Sequence, residues 1–398
     1  SRIGVSNRMS HGDSPRRDGV LEVFLAAHRR RALLGALAAV CTLALPAWAK
    51  AARCTVTLQA DGNTAAIQRQ IDAKGRKPVV CLEPGHYKGA RFVASRDFEL
   101  RGVGEGRVVL DAGGRGRALT VVTPGVKVTL ANLTLTEGVV EQGGAIAVEA
   151  DASVRLEDCW VTRNKATRHG GAIYARDGEV ELVRTRISAN TAGSGAGLWA
   201  EDGGRLRVVS SLIHDNKSRG GSDDAAIVVR PGCRLELVAS TLAYNPGHGV
   251  HVAPAGPSQT PAKLTVVSSV IMGAPAALSV DRYEAGEVMV THSVLYGRTG
   301  FVPLDLQSRR ELPVFDLESV ERYRPTIGSP AIGIGLCTDR DARRDVAGDR
   351  RPRVCTAGAL ESSPEAIRLT LQDRRRREAA DNKAAAEAEP DFWPEELR

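Results

Sequence analysis

The sequence repeats one apolar phrase seven times, and this period limits the possible folds more than any other feature. Within each copy, Val, Leu or Ile alternates with polar residues over about eight positions. The copies begin at Val128, Val154, Val180, Leu206, Leu235, Leu264 and Val288. Successive starts differ by 26, 26, 26, 29, 29 and 24 residues. Such a period is typical of a solenoid, in which each coil packs only on its neighbours.

A second marker accompanies the apolar phrase. Gly143-Gly144-Ala145-Ile146 recurs at residues 170–173, and in weaker form at residues 195–198 and 224–227. An Asn also follows four successive copies, at Asn164, Asn190, Asn216 and Asn245. Asn and Gly at the corners of a coil suit left-handed backbone angles. Asn side chains stacked at one corner can also hydrogen-bond along the stack.

Three short strands in each coil of about 26 residues predict the fold class. We expect an all-β protein, a single-stranded right-handed parallel β-helix with an N-terminal helical cap and an irregular C-terminal cap. A leucine-rich repeat has an overlapping period. That motif needs Leu at most framework positions, whereas these positions are rich in Val and the return segments carry paired Gly. Propeller blades need about 40 residues and are excluded by length.

Composition agrees with a narrow stacked core. Only 4% of the 398 residues are aromatic while 41 are Gly, so Val, Leu, Ile and Ala must fill the interior. The formal net charge is +7, but residues 1–49 contribute seven Arg and three acids, or +4. The remaining +3 arises from 47 basic and 44 acidic residues. This near balance argues against a nucleic-acid partner.

Residues 1–49 read as a signal peptide with its leader. Arg29-Arg30-Arg31 precedes an apolar run from Ala32 to Pro46. Ala47-Trp48-Ala49 then offers small residues at the alternate positions that a signal peptidase prefers. The run is too short to span a bilayer, so we expect no transmembrane span in the mature chain. The arginines fit both the general and the twin-arginine export route. The predicted location is the periplasm, the cell surface or the extracellular space.

Cysteine positions predict two disulfides. Cys54 with Cys81, and Cys337 with Cys355, would each close a short loop near one end of the mature chain. Loops of this size stabilise a fold by roughly 3 kcal/mol when the bridge is unstrained.

The other two mature cysteines, Cys159 and Cys233, lie three repeats apart. Strands that stack at about 4.8 Å would separate them by roughly 14 Å. This distance exceeds the reach of a disulfide. We therefore expect two small buried hydrophobic side chains or free thiols.

The segment before the clean repeats carries the first family resemblance. Residues 65–71 have an amphipathic helical pattern, and the strand-like residues 79–82 run into the turn Pro84-Gly85-His86-Tyr87. Here the chain resembles secreted pectate-lyase-like β-helix proteins, which open with a helix that caps the first coil and a strand that enters a Pro-Gly-x-Tyr turn. The paired-Gly and hydrophobic-x-x-Asn markers resemble the repeats of polymorphic outer-membrane proteins.

Beyond the repeats the period gives way to Asp345-x-x-Gly348-x-x-Arg351-Pro352 and Ala357-Gly358-Ala359-x-Glu361. This stretch resembles the C-terminal module that precedes a variable anchoring signal in many bacterial surface β-helix proteins. Two departures are present, since Gly333 stands where that family usually has Asp and no sorting signal follows the module. Residues 362–398 are rich in Ala, Glu and Arg, a composition that favours a flexible or partly helical tail.

These boundaries divide the chain into five parts. Residues 1–49 are the signal peptide and leader, and residues 50–125 are the N-terminal cap and first coils. Residues 126–300 hold the regular repeats, residues 301–361 form the C-terminal capping module, and residues 362–398 form the charged tail.

Fold class does not decide chemistry, so candidate residues are judged individually. A glycoside hydrolase needs two carboxylates that flank the scissile bond. Asp223-Asp224 followed by Gly247-His248-Gly249 is similar to the double-Asp and Gly-His-Gly elements of polygalacturonases, and the register places them on adjacent coils. Turn chemistry also explains the match, because Asp224 occupies a position where earlier coils have Gly. The upstream Asn-Thr-Asp of that family becomes Asn190-Thr191-Ala192 here, and no Arg-x-Lys follows.

A pectate lyase would need carboxylates clustered across neighbouring coils to hold Ca²⁺, and an Arg base. One column of the repeat contains Asp158, Arg184, Ser210, Ala239, Ser268 and His292. Its single carboxylate lies beside an Arg, which indicates a surface ion pair. Cys and His residues show no metal-binding spacing, and no nucleotide fingerprint is present. We expect no cofactor, and calcium only under the lyase alternative.

The sequence thus predicts an exported bacterial β-helix protein without enzymatic activity. It would act at the cell surface or outside the cell as a monomeric adhesin or polysaccharide-binding element, with a polysaccharide or a cell-envelope component as partner. The alternative is a polysaccharide-degrading enzyme, either a polygalacturonase-like hydrolase or a pectate-lyase-like lyase, that acts on an acidic polysaccharide. The hydrolase would use Asp223, Asp224 and His248.

Overall fold

A computed structural model describes residues 53–387 with the exception of residues 222, 281–286, 301 and 320. These residues form a right-handed parallel β-solenoid of about nine coils, which confirms the predicted fold class. The predicted signal peptide and leader, residues 1–49, lie outside the described residues. No helix in the described part of the chain is long and apolar enough to cross a membrane.

Three long parallel sheets run along the solenoid, and each coil contributes one strand to each sheet. Sheet A contains Val56–Leu58, Val79–Leu82, Phe98–Gly102, Lys127–Ala131, Ser153–Glu157, Glu179–Val183, Arg205–Val209, Arg234–Val238, Lys263–Val267 and Val288–Thr291. Sheet B contains Gly85–Lys88, Val108–Asp111, Thr134–Thr136, Trp160–Thr162, Arg186–Ser188, Leu212–His214, Thr241–Ala243, Val270–Ala276 and Val294–Arg298. Sheet C contains Phe92–Val93, Leu119–Val121, Ile146–Glu149, Ile173–Arg176, Leu198–Glu201, Ala225–Val229, His248–Val252 and Leu278–Val280.

A short fourth sheet widens four of the coils, which the pattern of three strands per coil did not predict. Sheet D lies in the chain between sheets B and C and contains Val139–Gln142, Lys165–His169, Thr191–Ala192 and Lys217–Ser218. Its strands are hard to recognise in the sequence because the first has no buried residue and each of the others buries a single Ala or Ser.

The register of the sheets confirms the vertical stacking that the repeat predicts. Ile146 pairs with Ile173, and Ile173 pairs with Leu198, all of them fully buried in the interior. Alternate residues of each strand point inward, so aliphatic side chains from successive coils form continuous columns. Complete burial of one such side chain stabilises the fold by roughly 1.5–3 kcal/mol.

The Asn corner forms a buried ladder, as the sequence predicts. The Oδ1 atom of each Asn accepts a hydrogen bond from the backbone N–H one coil earlier: Asn190 to Asn164 at 2.9 Å, Asn216 to Asn190 at 3.1 Å and Asn245 to Asn216 at 2.9 Å. The left-handed angle was expected at the Asn itself. It belongs instead to the preceding residue, for example Ala189 with φ 55°.

The paired-Gly marker also has a local explanation. The first Gly of each pair adopts a left-handed angle, with φ 63° at Gly143 and 66° at Gly170. The second Gly approaches the next coil so closely that a Cβ atom on Gly171 would lie 2.2 Å from the carbonyl oxygen of Ala196. Both positions therefore require Gly.

The N-terminal cap and both disulfides are present. Helix Thr64–Asp72 begins at Asn63, whose side chain accepts from the backbone of Ala66, and it buries Ile67 and Ile71. Disulfides join Cys54 to Cys81 and Cys337 to Cys355, which confirms both predicted pairs. The cysteines at positions 159 and 233 are unpaired and buried, also as expected.

The C-terminal module packs along the side of the solenoid. It contains two antiparallel strand pairs, Phe315–Asp316 with Arg324–Pro325 and Gly335–Leu336 with Val354–Cys355, and a 3-10 helix, Asp341–Arg343. Hydrogen bonds join it to sheet B at Thr241 and to the adjoining corner at Ser268. Ion pairs join its residues Asp339 and Asp341 to sheet A.

The predicted charged tail begins as helix Pro364–Glu387. Its first half is anchored to the module, because Thr370 accepts a hydrogen bond from the backbone of Gly328 and Arg374 donates to the carbonyl of Ile332. These contacts hold this part of the tail against the module. Of the two predicted alternatives, a flexible or a partly helical tail, it adopts the helical one. Residues 388–398 lie outside the described residues.

Replacement of Asn190 by Ala tests the ladder. The Asn190 amide is buried and donates to the carbonyl oxygens of Val161 and Ser188 and to the next Asn. Asn190→Ala should lower the free energy of unfolding by about 2–4 kcal/mol, because it leaves several buried partners unsatisfied. Chemical denaturation measures the change. The adjacent Thr191→Ala should cost less than about 0.5 kcal/mol, and equal losses in both variants would contradict this role of the ladder.

Candidate functional site

The outward face of sheet C carries a group of polar and aromatic side chains on adjacent coils. We call this group the C-face cluster, and its members are His169, Tyr174, Trp199, Glu201, Asp223, Asp224, Arg230, His248 and His251. The register places it, since Tyr174 pairs with Trp199, Trp199 with Val228 and Val228 with His251. These positions alternate with the buried Ile and Leu column, so their side chains point away from the core.

Glu201 is held at one end of the cluster by two donors. The Tyr174 hydroxyl and the Trp199 Nε1–H, the latter at 2.8 Å, both donate to its carboxylate. Burial and the hydrogen bond to Glu201 raise the pKa of Tyr174, so that hydroxyl keeps its proton at neutral pH. The position of this carboxylate is therefore fixed before any ligand binds.

His169 and Arg230 flank the indole ring of Trp199. The His169 imidazole stacks on it with ring centroids 3.9 Å apart, and the Arg230 guanidinium carbon lies 5.9 Å from the ring centroid. Burial lowers the pKa of His169, and the nearby arginines act in the same direction against the opposing carboxylates. The imidazole is therefore neutral at neutral pH and stacks as an uncharged ring.

Asp223 links this part of the cluster to the next coil. Its carboxylate lies 3.2 Å from His251 Nε2 and 3.6 Å from the guanidinium of Arg230. The other ring nitrogen of His251 lies 3.0 Å from the hydroxyl of Ser279, one coil further on. These contacts join a carboxylate, a guanidinium group and an imidazole on two adjacent coils, and a hydroxyl on a third.

Asp224 and His248 lie on adjacent coils, as the repeat register predicts. The backbone N–H of His248 donates to the carbonyl of Asp224 at 2.8 Å, and His248 pairs with Ala225 in sheet C. Two side-chain atoms at this point, Oδ1 of Asp224 and Nδ1 of His248, are buried without a hydrogen-bond partner. Nδ1 of His169 is also buried without a hydrogen-bond partner. Unsatisfied buried polar atoms are rare in folded proteins and commonly mark the place of a ligand or a water molecule.

Asp224 closes a turn, because its backbone N–H donates to the carbonyl of Gly221 at 3.4 Å. Asp224 stands in the position of Gly143 and Gly170 but does not adopt their left-handed angle. Gly247, one coil later, does so with φ 90°, and a Cβ atom there would lie 2.6 Å from the Asp224 carboxylate. The left-handed angle and the close approach to Asp224 together explain Gly247.

The column considered for a lyase behaves as the sequence predicts. Arg184 makes two hydrogen bonds to Asp158, at 2.7 and 2.8 Å, which form a surface ion pair. All six members of the column occupy the left-handed corner between sheets A and B, with φ between 47° and 53°. Within the described residues, no group of three acidic, His or Cys side chains is arranged to hold a metal ion.

A row of basic side chains borders the cluster. Lys165, Thr191 and Lys217 pair in register along sheet D, and both lysines are exposed. Arg168 and Arg219 are exposed on the same strip, and Arg168 pairs with Glu141 at 2.9 Å. The strip adjoins the cluster directly, because His169 is the last residue of the strand that begins at Lys165. We call these four basic residues and Thr191 the sheet D strip.

Sequence reasoning found Asp223, Asp224 and His248 but missed their neighbours His169, Trp199, Glu201, Arg230 and His251. A signal was available for two of them. Trp199 follows Leu198 in the aligned marker, and His251 follows the equivalent Val250, so both occupy the outward position of that column. His169 and Arg230 lie beyond the aligned segments, and only the path of the chain brings them to Trp199.

Comparison with known proteins agrees with the fold and leaves the activity open. A family model described as a right-handed β-helix region matches residues 109–264, which include the whole C-face cluster. This part of the chain is therefore similar to the right-handed β-helix regions that the family model describes. A search of curated proteins found no match. The C-terminal module lies outside the matched residues.

The stacked ring pair predicts a pH-dependent signal. Because the pKa of His169 in the folded protein is lowered below its ordinary value of 6.5, the unfolded chain binds this proton more readily. Stability should therefore fall as the pH drops below about 6.5 and through the folded pKa. Protonated His169 should also quench Trp199 fluorescence, with a midpoint below 6.5. The signal should be absent from Trp199→Phe and His169→Gln, and a midpoint above 6.5 would contradict the effect of burial.

Proposed function

We propose that this protein is an exported element that binds an acidic polysaccharide along the sheet D strip and the C-face cluster, without cleaving it. The observation that carries the proposal is the basic strip beside a preformed cluster of carboxylate, imidazole and guanidinium groups. The two disulfides and the absence of a membrane-spanning helix from the described residues are consistent with export.

The strip has the geometry that an extended polyanion requires. Lys165 and Lys217 are two coils apart in one column, so their backbones are separated by roughly 10 Å along the solenoid axis. The backbone holds this spacing because the strand of Thr191 is hydrogen-bonded to the strands of both lysines. A polymer with charges at regular intervals can therefore meet both lysines without ordering a loop.

The cluster supplies hydrogen-bonding groups beside the strip. The side chain of Arg230 is 42% exposed and that of Asp223 is 21% exposed, so both are accessible at the surface. Sugar hydroxyls can donate to the Asp223 carboxylate and accept from the Arg230 guanidinium group. Tyr174 and Trp199 are only 1% and 2% exposed. They therefore support the cluster from below and do not stack on a sugar ring.

Loss of the strip lysines should weaken binding to polygalacturonate. We expect Lys165→Gln with Lys217→Gln to raise the Kd about tenfold at low ionic strength, and added salt should reduce the difference. Glycan arrays or calorimetry can measure it. The matched control is Lys127→Gln with Lys263→Gln, which removes the same charge from sheet A and should leave the Kd within about twofold. Equal binding by wild type and the strip variant would contradict the proposal.

A second candidate function rests on Asp224 and His248. The Asp224 carboxylate has a buried oxygen without a hydrogen-bond partner, and His248 on the adjacent coil has a ring nitrogen in the same condition. In a hydrolase these groups and Asp223 would be placed to exchange protons with a glycosidic oxygen and a water molecule. This alternative shares the polysaccharide surface with the binding proposal but requires turnover.

Release of reducing ends from polygalacturonate separates the two functions. The binding proposal expects no release above the level of buffer alone. Release that Asp224→Asn abolishes and Asp202→Asn retains would establish the hydrolase instead, because Asp202 is an exposed residue in a corner of another coil. Asn fits both positions, so loss of folding should not confuse the comparison.

A further inference from the structure

A pocket of about 590 Å³ opens on the C-terminal module, far along the chain from the C-face cluster. Four arginines line it: Arg343, Arg350, Arg351 and Arg353. The polysaccharide-binding proposal does not use any of them, so this site stands independently of it. Four like charges therefore converge at one place.

Backbone hydrogen bonds and a disulfide fix the walls of the pocket. The N–H of Arg351 donates to the carbonyl of Arg343, and the N–H of Cys337 donates to the carbonyl of Arg353, both at 2.9 Å. The disulfide between Cys337 and Cys355 closes the same hairpin. The arginines are therefore brought together by a covalently closed frame, so their proximity does not depend on a flexible loop.

The acidic residues of this segment are all engaged elsewhere. Asp339 pairs with Arg207 at 2.6 Å and Asp341 with Arg155 at 3.3 Å, both on sheet A. The Asp345 carboxylate is buried and accepts hydrogen bonds from three backbone N–H groups, those of Ala347, Asp349 and Glu361. Asp349 lies 3.3 Å from the guanidinium of Arg324. Asp345 and the buried Glu361 offset the charge of Arg351. Among the described residues, none of these carboxylates pairs with Arg343, Arg350 or Arg353.

Three of the four pocket arginines therefore carry uncompensated positive charge. Over the described residues, Arg343, Arg350 and Arg353 form no ion pair and no side-chain hydrogen bond, and all three are exposed. Arg351 is 9% exposed and donates through both terminal nitrogens, to the carbonyls of Thr356 and Gly358. Its Nε atom is buried without a partner. Like charges in a concave site repel one another, so a bound anion would stabilise this arrangement.

We propose that this pocket binds a phosphate monoester, carried either by a free sugar phosphate or by a lipid headgroup. Planar guanidinium groups match the oxygen atoms of phosphate in bidentate geometry, and a dianion offsets more of the convergent charge than a single carboxylate does. The volume exceeds that of an inorganic ion, which leaves space for the group that bears the phosphate.

Calorimetry with glucose 6-phosphate at low ionic strength tests the site on the full chain. We expect one saturable site for glucose 6-phosphate and no binding of glucose. Arg350→Gln with Arg353→Gln should raise the Kd at least about tenfold, because hydrogen bonds to charged groups are lost. The matched control, Arg340→Gln with Arg375→Gln, removes two exposed arginines outside the pocket and should stay within about twofold of wild type. Thermal unfolding checks that both variants fold.

Two further arms identify the source and the chemistry of the anion. Binding confined to phosphatidylcholine vesicles that contain phosphatidic acid would support a lipid source, and binding of glucose 6-phosphate would support a soluble one. Binding of neither, or an equal loss in the control variant, would overturn the proposal. Glucuronate, which carries one carboxylate, should bind about fivefold more weakly than glucose 6-phosphate, and equal affinity would overturn the assignment to phosphate.

Discussion

The parallel hydrogen-bond register between successive coils is the constraint on which the rest of this structure depends. Each strand of sheets A, B and C pairs with the strands of the coils above and below it. A residue about 26 positions along the chain therefore becomes a direct neighbour in space. This single relation produces the aliphatic columns inside, the Asn ladder at one corner and the alignment of charged groups outside.

Buried polar ladders make the register specific. A slip of one residue would move aliphatic side chains to the outer face and remove every Asn from its partner. The corner between sheets A and B adds a second ladder, in which Ser211, Ser240 and Ser269 accept from the backbone of the preceding coil. These hydrogen bonds also offset the cost of left-handed backbone angles in residues other than Gly.

The sequence was sufficient for those features that repeat. Period, apolar alternation, the Asn corner and cysteine spacing predicted the solenoid and both disulfides, because each depends on the distance along the chain and the stacking direction alone. Sheet D escaped prediction because its strands carry almost no apolar signal. The sequence predicted the left-handed backbone angle at each Asn, whereas the residue before the Asn adopts that angle.

The candidate site was only partly accessible to the same reasoning. Asp224 and His248 lie inside aligned segments, so the register alone brought them together. The stacking of His169 on Trp199 depends on the route of sheet D around the coil, which the period does not describe. Likewise, the basic pocket of the C-terminal module depends on the groups with which its acidic residues form ion pairs and hydrogen bonds. Composition does not reveal these pairs.

The lateral position of the C-terminal module has a mechanical consequence. In a simple solenoid each coil touches only the next, so the last coils can fray one at a time. Here one irregular segment contacts Arg155 on a central coil, Arg207 two coils later and Ser268 near the end of the stack. It thereby links several coils along the side of the solenoid. Coils that would otherwise unfold one after another are joined into one cooperative unit. Resistance to stepwise unfolding therefore does not depend on the terminal coil.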